Sequence, residues 1–80
     1  MTQATVLYFA SLRDAAGKGS ERVESGAADL RGLYEELRGR HGFVMPVARL
    51  RVAVDGEFAD WTDPLREGSE IAFIPPVSGG

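Results

Sequence analysis

The sequence predicts an α+β domain in which one amphipathic helix lies across a mixed sheet of about five strands. Three observations carry this. β-Branched and aromatic runs stand near both ends, Val6-Leu-Tyr-Phe9 and Ile71-Ala-Phe-Ile74. Only the segment around residues 30–37 spaces its apolar side chains as a helix does. A further strand pair is marked by Asp55-Gly56, a dipeptide suited to a hairpin turn. At 80 residues the chain allows one domain, 1–80. Such a chain buries about 60% of its unfolded surface, so the core is small.

Thr5-Val-Leu-Tyr-Phe-Ala10 reads as the first strand, apolar enough for both faces to be covered or for one to be sticky. Ser11-Leu-Arg-Asp-Ala-Ala16 makes one or two helical turns that Gly17 ends, and Gly17–Ser20 is a turn. Ser20-Glu-Arg-Val-Glu24 follows as a polar edge strand, its charges discouraging pairing with other chains. Ser25-Gly26 opens the main helix. Leu30, Leu33, Tyr34 and Leu37 fall at i, i+3, i+4 and i+7 on one face. Asp29 in the first turn and Arg38, Arg40 and His41 in the last suit the helix dipole, and Gly42 is its C-cap. Gly32 and Gly39 inside the helix each cost roughly 1 kcal/mol relative to Ala, so this helix depends on packing.

Phe43 to Pro46 connects to a half-buried strand, Arg49-Leu-Arg-Val-Ala-Val54. Asp55-Gly56 makes a type I′ turn, and Glu57-Phe-Ala-Asp60 returns. Asp63-Pro64 and Glu67-Gly68 mark turns, while Trp61 caps the core beside Leu65. Glu70-Ile-Ala-Phe-Ile74 is the last strand, ended by Pro75-Pro76, which lack an N–H to donate. Strand, strand, helix and three strands is the β-grasp order of ubiquitin-like proteins. There the helix covers one sheet face, and the first and last strands run parallel at the centre. The two most apolar strands here are the first and the last.

Composition excludes several chemistries. With no cysteine there is no disulfide, thiolate metal site or cysteine nucleophile, and no side-chain thiol to carry reactive sulfur. A net charge of -3 and a pI near 5.0 argue against a nucleic-acid or anionic-membrane surface. No apolar run approaches the roughly 20 residues that span a bilayer, and no basic segment precedes an apolar one at the start. The expectation is a soluble cytoplasmic protein without nucleic-acid or membrane partners. Gly17-Lys-Gly-Ser20 lacks the spacing of a phosphate loop. His41, the only histidine, has no acidic neighbours at ligand spacing, so it reads as a helix-terminal cation, and no metal site is expected. Glu35 and Glu36 point about 100° apart on the solvent side of the helix.

The ending, Pro75-Pro-Val-Ser-Gly-Gly80, carries the chemistry. The prolines stiffen the exit and bias Ile74 and Pro75 to extended geometry. Residues 75–80 are expected to form a flexible tail, at most about 20 Å long. Such a tail can deliver a terminal carboxyl into a narrow pocket, since Gly79 and Gly80 have no side chain to clash there. Activated as an acyl-adenylate, that carboxyl becomes attackable by a sulfur donor. The resulting thiocarboxylate at Gly80 is a nucleophile. An inert, small-residue chain end on an interaction module is the opposing reading of the same residues. Arg13 either pairs with the acidic surface of a partner or is a solvated charge.

Val6-Leu-Tyr-Phe-Ala10, Leu12-Arg13, Leu30-Arg31, Asp63-Pro-Leu65 and above all Ile71-Ala-Phe-Ile-Pro-Pro-Val-Ser-Gly-Gly80 resemble the MoaD family, the small subunits of molybdopterin synthase. The resemblance runs over essentially the whole chain, with Ser78 where many members have Thr. It implies a sulfur carrier that is not an enzyme by itself and binds no cofactor. Gly80 would pass through a transient AMP adduct to a 1-thioglycine thiocarboxylate, with Pro75, Pro76, Val77, Ser78 and Gly79 as its tail. Implied partners are an E1-like adenylating enzyme, a sulfur donor enzyme and the large synthase subunit, in a heterotetramer. Sulfur would pass to cyclic pyranopterin monophosphate to build the dithiolene of molybdopterin. The resemblance also places Phe9, Phe58 and Ile74 on the sheet face away from the helix, as a docking patch. A sulfur carrier for thiamine or tRNA thiolation, or a ubiquitin-like modifier of lysines, is the alternative.

Overall fold

The computed structural model describes residues 1–76. In chain order these form β1 (Thr2–Tyr8), α1 (Ala10–Ala16), β2 (Ser20–Ser25), α2 (Leu30–His41), a 3-10 turn (Val47–Arg49), β3 (Arg51–Val54), β4 (Glu57–Ala59) and β5 (Ser69–Ile74). The sheet runs β2-β1-β5-β3-β4, with β1 and β5 parallel at its centre. Val6 lies opposite Ile71 and Tyr8 opposite Phe73, and the remaining pairs are antiparallel. This is the β-grasp arrangement expected from the element order.

Several boundaries differ, each for a local reason. β1 begins at Thr2 because β2 supplies partners from its first residue, Thr2 opposite Ser25, to Leu7 opposite Ser20. It ends at Tyr8, after which Ala10 turns the chain with φ at 50°. Ser25 closes β2 instead of opening the helix: it is buried, its hydroxyl accepts from the Ala27 amide at 3.0 Å and donates to Glu36 at 2.6 Å. α2 starts five residues later at Leu30. Asp29 is its N-cap and not a first-turn residue, its carboxylate accepting from the Gly32 amide at 2.8 Å. The other free donors of that first turn are met by the β4–β5 connection, Leu30 N–H donating to Asp63 O and Arg31 N–H to Trp61 O. β3 starts at Arg51, because Val47–Arg49 coil into a 3-10 turn.

The core lies between α2 and one sheet face. Leu30, Leu33, Tyr34 and Leu37 from the helix meet Ala4, Val6 and Tyr8 of β1, Val52 of β3, and Ile71 and Phe73 of β5. Each large apolar side chain buried there contributes about 1.5–3 kcal/mol. Tyr34 ring-stacks on Phe43, meets Phe73 edge-on, and donates its hydroxyl to Met45 O at 2.6 Å. Trp61 stacks on Phe73 and closes the core beside buried Leu65. Asp55 (φ 51°) and Gly56 (φ 88°) are both left-handed, as a type I′ turn requires.

Candidate functional site

Period-two alternation divides each strand between the two faces. With Ala4, Val6, Tyr8, Ile71 and Phe73 under the helix, Thr5, Leu7, Glu70, Ala72 and Ile74 turn to the opposite face. Register then builds that open face in rows. Leu7 is opposite Ala72, Ala72 opposite Ala53, and Ala53 opposite Phe58, an apolar row crossing four strands. One step toward the end of β5, Ile74 lies opposite Arg51. Phe9 continues the extended line of β1 at the same end, with φ −128° and ψ 150°. Phe58 is 68% exposed, Phe9 45% exposed and Ile74 half-buried. The Arg51 guanidinium lies over the Phe58 ring, 5.6 Å from its centroid. Among the described residues no helix covers these side chains, although apolar surface of this kind is costly to leave in water.

The last strand ends at the edge of this face, at Ile74. β5 occupies the centre of the sheet, held by β1 on one side and β3 on the other, so its end is anchored from both sides. Pro75 is buried and Pro76 exposed. Burial of Pro75 fixes the start of the expected tail against the domain. The expectations for Val77, Ser78, Gly79 and Gly80 concern positions outside the described residues. Arg13 lies in α1 away from Phe58, its side chain laid over Gly19 and its carbonyl accepting from the Gly17 amide at 2.9 Å.

A polar cluster missed in the sequence lies at the same end of the sheet. Tyr8 Oη donates to Glu21 Oε1 at 2.5 Å, and His41 Nε2 meets that same oxygen at 2.6 Å. His41 is thus more than a helix-terminal cation: it fastens the end of α2 to β2. Burial pushes the Glu21 carboxyl up, but hydrogen bonds from Tyr8 and His41 and the nearby charges of His41 and Lys18 hold it below the ordinary carboxylate range. Burial first, then its hydrogen bond to Glu21, pushes the Tyr8 phenol well above its usual value. Twenty residues separate Glu21 from His41, so no local spacing pointed to the pair. Among the described residues no group of three or more His, Cys, Asp or Glu gathers as a metal site would require, and no helix is long and apolar enough to cross a membrane.

A five-stranded mixed sheet with β1 and β5 parallel at its centre and α2 packed across one face defines a ubiquitin-like β-grasp domain. The chain belongs to the ThiS family, whose model matches residues 6–80. It is 30% identical over 78 residues to the molybdopterin synthase sulfur carrier subunit of Escherichia coli, covering 94% of this chain and 96% of that one. To the protein of the same name in Homo sapiens it is 35% identical over 86 residues, covering 100% and 97%. Its fold matches that of small archaeal modifier protein 1 of H. volcanii with a TM-score of 0.80 and 26% identity, covering 96% of this chain and 100% of that one. The resemblance to the MoaD family seen in the sequence is borne out by these relatives.

Proposed function

We propose that this chain is the sulfur carrier subunit of a molybdopterin synthase and that it acts through Gly80. The observation that carries the reading is positional: in a ThiS-family domain, β5 leaves the sheet centre at buried Pro75, beside an uncovered apolar face, and leads into Val77-Ser-Gly-Gly80. A partner that covers the face receives the tail in its own active site. Docking and delivery are then one event, which is how a partner gains proximity without a binding pocket on the carrier.

The chemistry proposed at Gly80 follows from what a carboxylate lacks. It is a poor electrophile until an adenylating enzyme makes it an acyl-adenylate. Sulfur from a donor enzyme then displaces AMP and leaves the 1-thioglycine thiocarboxylate, a competent nucleophile. In the large subunit's active site its sulfur attacks a carbon of cyclic pyranopterin monophosphate with loss of an oxygen leaving group. Water then cleaves the acyl–sulfur bond, leaving the sulfur on the substrate and regenerating the Gly80 carboxylate. The chain supplies no acid, base or metal of its own to this step, and on this reading it is a cytoplasmic partner protein within a heterotetramer. Phe9, Phe58 and Ile74 form the docking patch.

Removing Gly79 and Gly80 tests the reading. The shortened chain should fold and bind the large subunit yet support no molybdopterin formation; undiminished formation would leave the domain as an interaction module with an inert end. A second reading, conjugation to protein lysines, is favoured by the match to the archaeal modifier. Lysine conjugates co-purifying in place of a large synthase subunit would establish it.

A further inference from the structure

The open face carries charge unevenly. Glu24 and Glu70 lie on it in the rows that hold Gln3 and Thr5, with Arg22 beside Thr5. Across the apolar row Leu7-Ala72-Ala53-Phe58, in the half next to the tail, Arg51 stands beside Ile74. The ion pairs among the described residues join Lys18, Arg38 and Arg40 to glutamates, His41 is hydrogen-bonded to Glu21, and none of these contacts includes Arg51. Arg51 is exposed and its guanidinium lies over the Phe58 ring, 5.6 Å from the centroid.

A guanidinium held over a ring face by cation–π attraction keeps its N–H groups for other partners, in the fork geometry that takes a carboxylate through two parallel hydrogen bonds. A partner that covers Phe58 and Ile74 removes water from Arg51 as well. An unpaired guanidinium in such a dried interface costs far more than it does in water. A carboxylate on the partner meets that cost at Arg51. We propose that Arg51, held by Phe58, is the cationic anchor of the docking face and receives a carboxylate from the contact surface of the large synthase subunit. This rests on the docking reading above and adds to it the chemistry of the partner's surface.

Titration calorimetry of the full chain with its cognate large subunit tests the pairing. Arg51→Met keeps most of the stem and removes the charge; Arg51→Glu reverses it; Phe58→Asp spoils the patch itself. Both Arg51 variants should weaken binding by about 10-fold or more, Arg51→Glu the further of the two, with Arg51→Lys between them and the wild type. Smaller losses at Arg51 alongside a large loss for Phe58→Asp would overturn the pairing and leave the docking face standing. Wild-type binding by Phe58→Asp and Arg51→Glu alike would overturn both.

Discussion

Tyr8 and His41 converge on one oxygen atom, Glu21 Oε1, at 2.5 and 2.6 Å, and their rings meet edge-on with centroids 5.6 Å apart. β1, β2 and the end of α2 are joined at that atom. The cluster lies at the end of the sheet toward which β5 runs, so it braces the edge where Pro75 follows β5.

Acid should loosen this brace. Glu21 titrates below its ordinary value of 4.5 in the folded chain. Its contribution is therefore present above about 4.5 and lost as pH falls through the depressed value. Glu21→Gln should cost about 1–3 kcal/mol at neutral pH and flatten the acid limb of stability against pH, read by urea unfolding. Tyr8 is shifted the opposite way, so its contribution holds below its ordinary 10.0 and falls at higher pH. Tyr8→Phe should flatten the alkaline limb. An unchanged acid limb in Glu21→Gln would contradict the assignment.

The two helix glycines should respond differently to alanine. A Cβ at Gly39 meets nothing within 4 Å, so Gly39→Ala should stabilise by roughly 0.5–1 kcal/mol. At Gly32 the new atom would lie 3.2 Å from Ala27 Cβ and 3.3 Å from the capping oxygen of Asp29. Gly32→Ala should gain less than Gly39→Ala or lose stability, as thermal unfolding would show.

Ala10 holds a φ of 50°, a conformation that costs an L residue about 1–2 kcal/mol. Ala10→Gly should relieve part of this and raise the unfolding midpoint, with Phe9 kept on the open face. Ala10 is exposed, so a lower midpoint would contradict this account of its strain.

Much of this was legible in the sequence because it is local. The Leu30-Leu33-Tyr34-Leu37 spacing, the Asp55-Gly56 turn, and the apolar strands around Val6 and Phe73 each state their structure within a few residues. Ser25-Gly26 misled, because a serine before a glycine looks the same whether its hydroxyl caps a helix or closes a strand by bonding to Ala27 and Glu36. The 3-10 turn at Val47–Arg49 is too short to show a period. The Tyr8–Glu21–His41 cluster and the placing of Arg51 over Phe58 depend on strand register and on where α2 ends. Both are set by the assembled sheet and not by neighbours in sequence.

Docking through the open face predicts a clean separation of folding from binding. Phe58 is 68% exposed, so Phe58→Asp should leave the unfolding midpoint nearly unchanged while weakening the large-subunit complex by about 10-fold or more. Analytical ultracentrifugation of the mixture reads the second effect and circular dichroism the first. A variant that binds normally would contradict the role given to this face.

The most direct test of the account is the mass of the fragment that begins after Arg66 and runs to Gly80, cut from chain incubated with ATP, its adenylating enzyme and a sulfur source. That fragment contains neither Met1 nor Met45, so methionine oxidation cannot imitate the exchange of oxygen for sulfur. A gain of one sulfur for one oxygen, lost on hydrolysis, is the predicted result. An unmodified fragment under those conditions would contradict sulfur carriage at Gly80.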